Sequence, residues 1–84
     1  MQIKLLYFGR PREAVNISSE TVEVPGEVST LAELLAWLHS RGETWACEFT
    51  GNRVRCAINQ EFSGLAARIN EHDEIAIFSP ISGG

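Results

Sequence analysis

The chain has 84 residues and a mass of 9.3 kDa, which is room for one domain around one core. Hydrophobic residues at 44% and charged residues at 21% match soluble globular averages and exclude wholesale disorder, collagen-like repeats and a disulfide-dense scaffold. A net charge of −4 opposes binding to phosphate backbones, and the basic residues Lys4, Arg10, Arg12, Arg41, Arg53, Arg55 and Arg68 are too scattered to form a stripe.

Gln2–Phe8 alternates Ile3, Leu5 and Tyr7 against Lys4, Leu6 and Phe8, so period two predicts a strand with apolar residues on both faces. Gly9-Arg10-Pro11-Arg12 breaks it, because proline lacks the donor a ladder requires. Glu20–Val24 is predicted as a second strand, with Val22 and Val24 inward. Thr30-Leu31-Ala32-Glu33 reads as a capping box, and Leu31, Leu34, Leu35 and Leu38 recur on one helical face. With Arg41 in the last turn and Gly42 as a left-handed stop, the spacing predicts one long helix from about Thr30 to Arg41. Glu43–Phe49 fits either a strand or a short helical turn, and Thr50-Gly51-Asn52 is turn chemistry. Val54–Asn59 alternates Val54, Cys56 and Ile58 inward as a strand. Phe62–Asn70 reads as a loop with a short helical turn, and Glu74–Phe78 as the last strand.

The order is then strand, strand, helix, strand, strand. With the first and last strands central and parallel, one long helix crosses one face of a mixed sheet. That is an α+β architecture, the β-grasp or ubiquitin-like roll. Residues 1–78 are assigned to the domain and 79–84 to a flexible tail. No basic leader precedes the first strand and no apolar run approaches a bilayer span, so a cytoplasmic location is expected.

Few residues carry conventional catalytic chemistry. Cys47 and Cys56 lie nine positions apart, which suits neither a redox pair nor half of a zinc site. His39 and His72 lack second ligands at metal spacing and read as surface residues. Asp73 and Glu74 read as a turn and a solvated edge rather than an acid/base pair, and no phosphate-loop pattern exists. No metal and no bound cofactor are therefore expected. The tail is the unusual part. Ser79-Pro80-Ile81-Ser82-Gly83-Gly84 projects beyond the last strand, and six extended residues reach roughly 20 Å at about 3.3–3.6 Å each. A Gly83-Gly84 end has no Cβ atoms to obstruct a narrow channel. Such a tail suits a carboxylate delivered into another protein's active site.

Over essentially its whole length the chain resembles the sulfur-carrying small subunits of molybdopterin synthase. The resemblance rests on Gln2-Ile3-Lys4-Leu5-Leu6-Tyr7-Phe8, Pro11-Arg12-Glu13, Trp45-Ala46, Ala57-Ile58-Asn59-Gln60 and above all Asp73–Gly84. Where that family commonly has glycine before Asp-Glu and a doubled proline after the last strand, this chain has His72 and Ser79. The resemblance implies a carrier cycle. A ubiquitin-activating-type adenylyltransferase uses ATP to adenylate Gly84, and a sulfurtransferase converts it to a thiocarboxylate. The large synthase subunit then takes in Pro80, Ile81, Ser82, Gly83 and Gly84, and sulfur passes to cyclic pyranopterin monophosphate. It further implies that Phe8, Phe62 and Phe78 pack against the large subunit, that Arg12 lies near that contact, and that the assembly is a heterotetramer. The catalytic side chains would belong to the partner.

Two other functions share these features. A carrier for thiamine thiazole synthesis also ends in Gly-Gly, although the Glu43–Gly51 segment and the Phe-Ser-Pro-Ile-Ser-Gly-Gly ending favour the molybdopterin family. A ubiquitin-like modifier conjugated through Gly84 is the other. With Lys4 as the sole lysine, that modifier would build chains on itself only awkwardly.

Overall fold

The computed structural model describes residues 1–80. Of the expected tail, Ile81, Ser82, Gly83 and Gly84 lie outside the described residues. In chain order the elements are β1 (Gln2–Phe8), α1 (Arg10–Val15), β2 (Ser19–Glu23), α2 (Leu31–His39), α3 (Glu43–Glu48), β3 (Arg55–Ile58), β4 (Glu61–Ser63) and β5 (Glu74–Phe78). The strands form one mixed sheet in the order β2-β1-β5-β3-β4. Only β1 and β5 run parallel to each other, side by side near the middle; the other pairings are antiparallel.

One face of the sheet is the core. Ile3, Leu5 and Tyr7 of β1, Val22 of β2, Cys56 of β3, and Ile75 and Ile77 of β5 are buried, as the strand alternation predicts. Leu31, Leu34, Leu35 and Leu38 of α2 cover them. The capping box is present in both directions, with the Glu33 amide donating to Thr30 Oγ1 and the Thr30 amide donating to the Glu33 carboxylate.

The expectation of one long helix is corrected to three short ones. α2 spans nine residues rather than Thr30–Arg41, and its cap, Ser40, keeps right-handed geometry. Gly42, at φ 151°, does not supply the left-handed stop; it opens α3 instead. α3 resolves the ambiguity of Glu43–Phe49, because Trp45 and Phe49 lie four apart as well as alternating, and the helical spacing puts both beside Tyr7. α1 follows β1 at once. Gly9, at φ 65°, turns the chain, and Pro11 sits in the first helical turn, where its missing N–H costs nothing. The start of the segment read as a loop, Phe62–Asn70, is corrected: Phe62 and Ser63 belong to a strand, while Gly64–Asn70 lies outside the named strands. Asn59 and Gln60, both at positive φ, form a two-residue turn that returns the chain as β4.

A polar knot crosses the rim of the core. The buried Tyr7 hydroxyl donates to Glu20 Oε2 at 2.7 Å, and Arg41 grips both Glu20 oxygens at 2.7 and 3.1 Å. The Arg41 guanidinium lies 4.4 Å from the centre of the Trp45 ring. Arg41, ahead of the cost of partial burial, holds the Glu20 carboxyl below its usual range. Burial, aided by Glu20, pushes the Tyr7 phenol well above its own.

A second polar knot pins the start of β5. Asp73, expected at a solvated edge, is buried: it accepts from Asn59 Nδ2 at 2.9 Å and from the Asn70 amide at 2.7 Å. It is a turn residue, as its sequence context suggests, with a structural job. His39 is likewise half-buried rather than free at the surface. Its Nε2 lies 2.7 Å from the Phe49 carbonyl oxygen, a contact that requires a proton on that nitrogen. His72 is exposed in a turn.

Candidate functional site

Among the described residues no helix packs on the other face of the sheet, and strand pairing lays out its side chains in rows. Residues opposite each other in register share a face. The row nearest the tail is therefore Phe8, Phe78 and Arg55, contributed by β1, β5 and β3. The next is Leu6, Ala76, Ala57 and Phe62, across β1, β5, β3 and β4. A third begins with Thr21, Lys4 and Glu74, in register across β2, β1 and β5.

Phe8 is 48% exposed and Phe62 84% exposed, while Phe78 is half-buried between them in the sheet order. The Phe62 and Phe78 ring centres are 5.7 Å apart. Ala57 and Ala76 are short, so the three rings form the relief of this face. Among the described residues, Phe8, Phe62 and Leu65 are the large hydrophobics most exposed to solvent. Two of the three thus gather with Phe78 in one patch instead of lying scattered over the surface. β4 is what brings Phe62 there.

The patch adjoins the root of the tail. A shallow depression at that root is lined by Arg10, Pro11, Glu48, Arg53, Ser79 and Pro80. Glu48, at the end of α3, accepts from Arg10 Nε at 3.0 Å and lies 3.9 Å from Arg53 Nη1, tying α1 to the loop before β3. On the opposite side, Gly9 borders Ser79: a Cβ there would stand 3.5 Å from Ser79 Oγ. Pro80 is exposed at the end of this groove. Arg12 is exposed on α1 and borders a different depression with Glu13, Asn16, Ile17 and Ser18.

The structure therefore joins Phe8, Phe62, Phe78 and the tail root at one pole, with Arg12 on the helix beside it. Sequence reasoning missed Arg55, although the inward phase of Val54 and Cys56 already turned it outward. It also missed the Arg10–Glu48–Arg53 bridge, for which no local spacing is a signal. No group of three or more potential metal ligands occurs among the described residues, and no helix among them is long and apolar enough to cross a membrane. Cys47 is exposed and Cys56 buried, and burial pushes the Cys56 thiol up to about 11.

The sequence matches the family model described as "ThiS family" over residues 5–84. The chain belongs to the ThiS family. It is 36% identical over 87 residues to the molybdopterin synthase sulfur carrier subunit of Drosophila melanogaster, covering all of this chain and 92% of that one. It is 34% identical over 87 residues to the protein of the same name from Arabidopsis thaliana, covering all of this chain and 84% of that one. A solved complex of subunits 1 and 2 of the molybdopterin-converting factor from Helicobacter pylori contains a similar chain. There the TM-score is 0.64 at 20% identity, with both chains covered completely, a likeness of fold. The fold of this chain is the five-stranded roll described above, with Ser79 and Pro80 leaving β5 next to Phe78.

Proposed function

We propose that this chain is the sulfur carrier subunit of molybdopterin synthase, reacting through the carboxylate of Gly84. The observation that carries the reading is the convergence of Phe8, Phe62 and Phe78 beside Ser79 and Pro80, in a chain that full-length relatives of that name resemble at 34–36% identity. On this reading, a partner that grips the rings also receives the tail that begins at Ser79. The partner is the large synthase subunit, in keeping with the two-subunit complex of the Helicobacter pylori relative; two small chains on a large-subunit dimer give the heterotetramer.

A carboxylate is a poor acyl donor because it is an anion with a poor leaving group. An adenylyltransferase of the ubiquitin-activating type joins Gly84 to the AMP moiety of ATP and releases pyrophosphate. A sulfurtransferase then supplies the sulfur that displaces AMP, leaving a thiocarboxylate. On the large subunit the sulfur passes to cyclic pyranopterin monophosphate and water restores the carboxylate. Two sulfurs build each dithiolene, so carriers exchange or recharge between them. This chain supplies the sulfur, binds no cofactor of its own and works in the cytoplasm.

Intact mass tests the cycle. Incubation with ATP, the adenylyltransferase and a sulfur source should add the mass difference between sulfur and oxygen, mapped to Gly84. Adding the large subunit and the pterin precursor should reverse it. An unchanged mass with an activating enzyme verified on another carrier overturns the reading.

A further inference from the structure

We propose that Arg55 is a specificity-determining contact of the docking surface, and that the large subunit presents a carboxylate to it at the border of the socket for Phe62 and Phe78. The inference rests on the carrier reading above.

Arg55 stands in the row of Phe8 and Phe78 because β3 pairs it directly with Phe78. Its neighbours Val54 and Cys56 are buried, at 2% and 3% exposure, so the strand has no other face to offer its side chain. One nitrogen, Nη1, donates to the Val54 carbonyl at 3.1 Å and the Gly51 carbonyl at 3.4 Å, which ties the guanidinium to the loop before β3, next to the row that its backbone shares with Phe78. Among the described residues no carboxylate pairs with it. Arg10 and Arg53 share Glu48 and Arg41 has Glu20; Lys4, Arg12 and Arg68 also form no ion pair among the described residues, but of these unpaired cations only Arg55 stands in the row of Phe78.

A surface that covers Phe78 must cover or border this cation. Removing a guanidinium from water without an acceptor is costly, whereas a carboxylate matches its planar fork with charge-assisted bonds. The whole chain is acidic, at −4. Its overall charge would therefore repel an acidic partner, and recognition of a carboxylate must come from a local cation. Arg10 and Arg53 flank the adjoining tail root with the single carboxylate of Glu48 between them, so these side chains leave a positive excess there.

Calorimetric titration of the large subunit encoded in the same genome against the full chain, R55Q and R55E tests this, with melts of each variant run in parallel. The native chain should bind, R55Q should weaken binding by about tenfold and R55E by more. Raising NaCl from about 50 to about 500 mM should weaken the native chain more than R55Q, since the screened pair is missing from the variant. If the native chain fails to bind, the carrier reading falls and the contact falls with it. If the native chain binds and R55E binds equally well, the contact alone is overturned. Should R55E fail to fold, R55Q and its salt dependence decide: native affinity with unchanged salt dependence overturns the proposal.

Discussion

Tyr7 turns its ring into the core and ends in a hydroxyl that needs an acceptor there. Glu20 supplies it and is itself held ionised by the Arg41 fork, so one carboxylate links β1, β2 and the end of α2. Because the folded-state value of Glu20 lies below the ordinary 4.5, the unfolded chain takes up the proton first on acidification. The contribution is complete above that ordinary value and fades as pH falls through the lower, folded one. Glu20→Gln should cost about 1–3 kcal/mol at neutral pH, and its gap from the native chain should narrow in acid. Urea unfolding of both proteins at about pH 7 and about pH 3.5 measures this. A gap that stays constant would mean the carboxylate charge contributes nothing. Glu33, also held low by bonds from Ser29 and Thr30, is common to both proteins and drops out of the comparison.

At the level of elements, the legible parts were those whose signals are local. The alternation of β1 and β5, the leucine face of α2 and the Thr30–Glu33 box are all written within a dozen residues. β4 was not legible, because its three residues carry no periodicity and its turn uses Asn59-Gln60 in place of a glycine-bearing pair. α1 was hidden by Pro11, which ends a strand and begins a helix with equal ease. α3 alternates like a strand, and only the packing of Trp45 and Phe49 on Tyr7 decides for the helix. For α2, box and stripe can be separated experimentally. Thr30→Ala should lower stability by about 1 kcal/mol, the typical value of a cap. Leu34→Ala, at a fully buried position, should lower it by about 2–5 kcal/mol. Equal losses in urea titrations would contradict the view that packing, more than capping, holds this short helix.

Over the whole molecule, core and site occupy opposite faces of one sheet. The aromatic patch was largely foreseeable, since the phase that buries Leu5, Tyr7 and Ile77 exposes Phe8 and leaves Phe78 outward. What strand phase could not supply was the lateral order that sets Phe62 and Arg55 beside them. This separation of faces makes a prediction about the tail. Removing residues 82–84 should leave the melting temperature unchanged, because the buried cluster lies between Ile3 and Ile77. It should abolish sulfur transfer while the patch still binds the large subunit. Loss of fold on truncation, seen by circular dichroism, would show that the tail belongs to the domain.

The position of β5 has a consequence for biogenesis. It is the last strand made among the described residues, yet it fills the slot between β1 and β3, where Phe8 meets Phe78 after seventy intervening steps along the chain. A nascent chain emerging N-terminus first has the β1–β2 and β3–β4 segments before it has the strand that joins the two pairs. The sheet can close only after every other strand among the described residues has been made. A chain built this way gains the face that carries Phe8, Phe62 and Phe78 only once β5 is in place, so a fragment that stops short of β5 lacks the patch as well as the sheet.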